Sequence, residues 1–458
     1  MRTTTLGLRA NWWQFTLFTL ITLLIGLTAG VERVTLPPLA RHAFGVTSIL
    51  YTASFIAGFG AIKAPANLLA GRLSDRHGRR GILAIGWLLA IPYAVLVILA
   101  THWWQVILAN AFLGASQALT WTMSVTAKID LVGPTNRGLA VGIDESAGYV
   151  GVGIGGFVGG IIAAHLGLRP APYLLVIGVV VLGLLVTLGP ARETVGFARH
   201  EASQLGQREG PTSNIQPTSA PRLGQLAAYV SWRDPSLRAV SLAGLVNKVA
   251  DSAMATVLPL LLLARGAHLA TVGLVAGVYA WVWGLGQVPG GALADRVGRK
   301  IPIVVGTALI AAGLGLLGGI AVAWSWYVSA AVLGLGMALV YPNLITAVSD
   351  TVEATWRGGA LGVYRLWRDG GYAIGPVVLG VVAGAWGIPA SMLVATVLVG
   401  ASALLLAATL AETHPQRRRE PPRWQTNPAT IGRRASLYDA GSPAATPPDT
   451  RHEPGGQP

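Results

Sequence analysis

The sequence has no cysteine among its 458 residues, so disulfides, thiol nucleophiles and cysteine-ligated metals are excluded. Charge is scarce: Asp, Glu, Lys and Arg together make up 11% of the chain. Of the 33 basic residues only four are lysine, and 19 acids leave a formal net charge of +14. The phosphate-binding pattern G-x-x-x-x-G-K-[ST] is missing. Two G-x-G-x-x-G stretches occur, at Gly151/Gly153/Gly156 and Gly313/Gly315/Gly318, but no strand–turn–helix context surrounds them, so neither is a dinucleotide site. None of the eight histidines lies deep in an apolar run, which argues against a histidine metal site or proton relay. With no metal-ligand cluster and no nucleophile motif, the chain reads as neither an enzyme nor a cofactor carrier.

What is abundant is apolar surface. At 53% hydrophobic residues the chain needs a lipid bilayer around it. Crossing about 30 Å of hydrocarbon takes about 20 apolar residues. Such runs fall near 13–32, 48–70, 81–100, 104–127, 138–164 and 170–190, and again near 236–263, 270–291, 301–322, 325–349, 358–384 and 388–411. The expected fold is an all-α membrane protein with twelve transmembrane helices in two six-helix pseudo-symmetric bundles.

Orientation follows from arginine and lysine in the short loops. Odd-numbered connections carry Arg33, Arg41, Arg169 and Arg265; even-numbered ones carry Arg72, Arg76, Arg79, Arg80, Arg137, Arg296, Arg299, Lys300 and Arg357. The even-numbered loops and both termini are therefore expected in the cytoplasm. The basic excess then reads as orientation and contact with anionic lipid, not as a nucleic-acid footprint. Arg2 and Arg9 precede a long apolar run, but no cleavage site for a signal peptide is convincing. The arginine-, alanine- and glycine-rich composition points to a bacterial inner membrane. Residues 1–190 are expected to form the first bundle, 191–235 a loose cytoplasmic linker, 236–412 the second bundle, and 413–458 a disordered tail. In that tail Arg417, Arg418 and Arg419 are either a topology anchor or a lipid contact.

The strongest pattern is a repeat. Gly71-Arg-Leu-Ser-Asp75-Arg76-His-Gly78-Arg79-Arg80 and Gly291-Ala-Leu-Ala-Asp295-Arg296-Val-Gly298-Arg299-Lys300 lie 220 positions apart (291 − 71). The same offset relates Gly114 to Gly334, Asp130 to Asp350, Arg137 to Arg357 and Gly155 to Gly375. Both loops match G-x-L-x-D-R-x-G-R-[RK], and the chain resembles the major facilitator superfamily over roughly residues 12–412. The resemblance implies parallel repeats with a substrate site between the halves. It also implies that the motif loops, with Asp130 and Asp350 as partners for Arg79 and Arg299, lock one end of the bundle. A static topology anchor is the plainer reading of the same arginines.

Helix 5 runs from Gly148 through Gly151, Gly155, Gly156, Gly159 and Gly160, which resembles the family's antiporter motif G-P-x-x-G-G with Gly156 in place of the proline. Helix 11 keeps Gly375-Pro376 at the equivalent place. Close helix packing explains the same glycines. The R-x-x-x-G element of drug:proton antiporters appears as Asn110-Ala-Phe-Leu-Gly114, so coupling through that arginine is not available.

Ionisable side chains at membrane depth cost about 2.5–3.5 kcal/mol each and so mark function. The candidates for proton coupling or gating are Lys63, Asp144, Glu145, Lys248, Asp251, Arg365, Arg368 and Asp369, with Glu32 and Arg33 near the end of helix 1. Simple neutralisation within one helix, Lys248 with Asp251 and Arg365 with Asp369, is the competing account. Trp121, Trp281, Tyr341 and Trp367 are candidates for the substrate cavity, alongside Trp283. The leading expectation is proton-coupled efflux of a small organic solute by a monomer. Import of an organic acid or sugar comes next, and a non-transporting scaffold or sensor last.

Overall fold

A computed structural model describes residues 5–46, 54–208 and 221–422, together with Gln425. The start of the second expected run, positions 48–53, lies outside these residues, as do 209–220 of the connector and most of the expected tail.

Twelve long helices are present, and among the described residues there is no strand. They are α1 Trp12–Phe44, α2 Ser54–His77, α3 Arg79–Leu99, α4 Trp103–Val132, α5 Arg137–Leu166 and α6 Ala171–Leu188, then α7 Pro235–Ala264, α8 Leu269–Val297, α9 Lys300–Gly319, α10 Ala323–Thr351, α11 Arg357–Trp386 and α12 Ile388–Thr409. Among the described residues nine are long enough, and apolar enough over a stretch of 18 residues, to cross a membrane. The other three, α2, α4 and α11, carry the polar side chains that face the interior, among them Lys63, Asn67, Gln117, Arg365 and Asp369. Low hydropathy here marks the lining of the bundle and not a break in it.

Within the first half α1 packs along α5, backbone against backbone. A Cβ at Gly151 or Gly155 would collide with the carbonyl oxygens of Leu23 and Leu27, so the glycine stripe of α5 has a packing role in full. The two halves meet chiefly along α2 with α11 and α5 with α8. In α7, residues Ala253–Val257 form a π turn. Pro259 accounts for it, since its ring cannot follow a regular α-helical turn.

The connector is more ordered than its composition suggests. Val195–Arg208 and Leu223–Ala228 are helices where the sequence pointed to loose chain. Polarity misled because one side of the first helix faces out while the other buries Ala198 and Glu201. This connector helix touches both α4 and the short turn Ala354–Trp356 that leads into α11, so it leans on both halves.

Candidate functional site

The site begins at the motif loops. Gly78 and Gly298 have φ of 94° and 100°, a region open to glycine, and they turn the chain from α2 into α3 and from α8 into α9. Each new helix starts on a carboxylate. Glu193 accepts the N–H groups of Arg79 (2.9 Å) and Arg80 (3.0 Å), and Glu412 accepts those of Arg299 (2.8 Å) and Lys300 (3.2 Å). The motif aspartates reach into the opposite half. Asp75 accepts the N–H groups of Gly358 (3.2 Å) and Gly359 (2.7 Å) at the start of α11, and Asp295 those of Gly138 (2.9 Å) and Leu139 (2.7 Å) at the start of α5. A carboxylate at a helix N-terminus meets both free donors and the positive end of the dipole. The approach requires Gly71 and Gly291: a Cβ there would strike the carbonyl oxygens of Gly358 and Gly138.

Beneath these contacts lies a ring of buried ion pairs. Arg79 holds Asp75 (2.6 Å) and Asp130 (3.2 Å); Arg299 holds Asp295 (2.6 Å) and Asp350 (2.9 Å). Each second aspartate is shared with the other half, Asp130 with Arg357 at 3.0 Å and Asp350 with Arg137 at 2.7 Å. Glu201 of the connector helix closes the ring, since it pairs with Arg137 and, at 2.9 Å, with Arg357. Burial alone would raise its carboxyl, but the guanidinium groups of Arg137 and Arg357 outweigh that and hold it at about 2. Arg76 and Arg296 are exposed and stand outside the ring.

Deeper in, a second rung crosses between the halves. Arg365 meets Glu145 at 3.3 Å, and the Trp121 indole N–H donates to the same carboxylate at 3.0 Å. Asn67 donates to Asp369 across the α2–α11 contact at 2.7 Å. Arg368 takes Asp369 at 2.6 Å and donates to the Tyr341 hydroxyl at 2.7 Å. Arg365 therefore pairs across the interface and not with Asp369 one turn along its own helix, because the neighbouring Arg368 already occupies that carboxylate. Neutralising one partner of a buried pair strands the other, at about 3–5 kcal/mol. Glu145→Gln or Arg365→Gln should accordingly favour opening of the motif end. The exchange Glu145→Arg/Arg365→Glu should restore part of the transport rate in vesicles; exchange no better than the single variants would count against a direct pairing role.

The innermost group sits around α7. Asp251 accepts from Lys248 (3.0 Å), Tyr372 (2.7 Å) and Tyr279 (2.9 Å), so α7, α8 and α11 converge on one carboxylate. Lys248 also lies over the rings of Trp283, Tyr341 and Tyr372. Tyr149 from the first half stacks on Trp283 at 4.4 Å between ring centres, closing an aromatic wall across the interface. Lys63 faces this interior from α2.

Three of the expected residues lie elsewhere. Asp144 pairs with Lys128 at 2.6 Å inside the first half, where Thr22 and Ser124 also reach it. Trp281 is 68% exposed on α8, outside the aromatic wall of the interior. Trp367 donates to Ser231 and packs on Trp232 beside the connector. Trp121 and Tyr341 do face the interior. Sequence reading missed Glu201, Asn67, Gln117, Tyr279 and Tyr372. A helical reading of 195–208 would have found the first, since Ala198 and Glu201 share a face.

Two six-helix halves, clamped together at one end and lined with ion pairs inside, define a two-domain membrane carrier. The Major Facilitator Superfamily profile matches residues 18–238 and 240–448, and the chain belongs to that family of transporters. It is similar to the multidrug resistance protein MdtG of Enterobacter lignolyticus (strain SCF1), with 24% identity over 391 residues covering 82% of this chain and 87% of that protein. The Citrobacter koseri protein of the same name is 25% identical over 368 residues, covering 76% and 83%. The crystal structure of the human organic anion transporter MFSD10 (TETRAN) matches with a TM-score of 0.67 over 86% of this chain and 98% of that one, at 18% identity, a likeness of fold.

Proposed function

We propose that the protein exports a small organic solute across a bacterial inner membrane in exchange for protons, by alternating access. The motif loops face the cytoplasm in this reading, as their arginines suggest, and the closed motif end then corresponds to the outward-facing state. The name of the MdtG relatives, multidrug resistance protein, supports export.

The observation that carries the proposal is the bonding of Asp251. It is the carboxylate of the interior that takes two tyrosine hydroxyls and a lysine from three helices at once. Rocking of α11 away from α7 would withdraw Tyr372, so the two states differ in how many donors hold the Asp251 charge, which is the difference that couples a proton to the movement. Asp251→Asn is thus expected to abolish solute accumulation driven by a pH gradient while leaving solute exchange near the parental rate. Everted vesicles with and without the gradient measure both, and the direction of flux separates export from import. Uphill transport by Lys248→Met/Asp251→Asn would show that Asp251 merely balances Lys248.

A further inference from the structure

One cation of the interior has no ion-pair partner among the described residues. Lys63, Lys248, Arg365 and Arg368 stand with Glu32, Glu145, Asp251 and Asp369, four cations to four carboxylates. Lys248, Arg365 and Arg368 are each in an ion pair with Asp251, Glu145 and Asp369 respectively. Arg33 is exposed, and the buried Glu32 next to it forms no ion pair among the described residues, acting on Arg33 and Lys63 only at a distance. Lys63 is different: it is 8% exposed, and among the described residues no carboxylate forms an ion pair with it. Asp369, the nearest candidate in the other half, is already held by Arg368 and Asn67.

What surrounds Lys63 is a set of groups waiting for an acceptor. Among the described residues its ammonium reaches only the Gln117 amide oxygen, at 3.5 Å, and it lies 4.9 Å from the centre of the Phe59 ring and 5.7 Å from that of Trp121. The Gln117 amide nitrogen, itself buried, has no acceptor among the described residues. A buried ammonium and a buried amide N–H₂ side by side are two donors lacking one partner, and each unmet group carries a desolvation cost. A carboxylate offers acceptors only and would satisfy both. The two rings beside them suit an apolar, flat body attached to that carboxylate.

We propose that Lys63 and Gln117 form the anion-binding subsite of the transport pathway, and that the solute is an organic acid with a ring or other apolar body. This rests on the reading of the protein as a transporter and adds the substrate class. Trp121 links the subsite to the gate, because its ring flanks Lys63 while its N–H holds Glu145. Occupancy at Lys63 is thereby felt at the Glu145–Arg365 bond.

The test uses three probes that share one ring system: naphthalene-1-acetate, its amide, and 1-naphthylmethylamine. Ligands of the native state raise apparent thermal stability. With the purified full-length protein in lipid nanodiscs, the acid should raise the melting temperature while the amide and amine raise it little. Lys63→Met should weaken acid binding at least tenfold and Lys63→Arg should recover much of it. Gln117→Glu supplies the carboxylate from the protein itself and should block the acid without harming the fold. Equal binding of acid, amide and amine, no shift from the acid at any concentration reached, or an acid preference that survives both Lys63→Met and Gln117→Glu would overturn the subsite. Acid binding that depends on Lys63 but no uphill movement in vesicles would instead leave the subsite standing and remove proton-coupled export.

Discussion

Gly71→Ala and Gly291→Ala should each prevent the motif end from closing fully. The added methyl group meets a backbone carbonyl of the opposite half, Gly358 or Gly138, and a backbone cannot swing aside as a side chain can. Overpacking of this kind costs about 1–3 kcal/mol. Since about 1.4 kcal/mol is a factor of ten in population, the open fraction should rise on the order of tenfold or more. The absence of native cysteine makes this easy to read. Single cysteines at Ala140 and Ala360, both buried at the closed end, should label correspondingly faster in either variant. Parental labelling rates in both would mean that the glycines have no part in closure.

Glu201→Gln should have a comparable or larger effect from outside the bundle. One carboxylate neutralises two arginines that begin symmetry-related helices, Arg137 and Arg357, and its removal leaves two buried guanidinium groups sharing only Asp350 and Asp130. Breaking a buried pair costs about 3–5 kcal/mol, so the same cysteine reporters should label well over tenfold faster. The pH dependence has a defined sign. The Glu201 carboxyl is held at about 2, below its unfolded value of about 4.3, so its contribution is complete above pH ~4.3 and fades only as pH falls toward 2. Labelling of the parent protein should therefore be flat between neutral pH and pH ~5. A steep rise within that range would assign the closing charge to another group.

How much of this was legible beforehand depended on whether a residue has a symmetry mate. The offset of 220 exposed the motif loops and the Asp130 and Asp350 partners; Glu145 and Arg365 are equivalent positions too (145 + 220), and the structure pairs them. Helix number followed from run length alone. Glu201 has no mate and sits in a polar connector, where composition says nothing about which side chain turns inward. The outward exposure of Trp281 was hidden for another reason. A membrane helix is apolar on both its lipid and its protein face, so periodicity does not reveal its phase, and tryptophan suits either side. Lys128 and Asp144 could be seen as charges but not as a pair, since that contact joins α4 to α5 across the interior of the first half with no counterpart in the second.

The π turn of α7 makes that helix an articulated rod. An extra residue in one turn advances everything beyond it by about 100°, and the local hydrogen bonding is weaker than in a regular α-helix. Ala253–Val257 begins two residues after Asp251, so a bend at this joint would move Leu258–Ala264 and leave Lys248 and Asp251 in place on α7. The end of the bundle remote from the motif loops then has its own hinge.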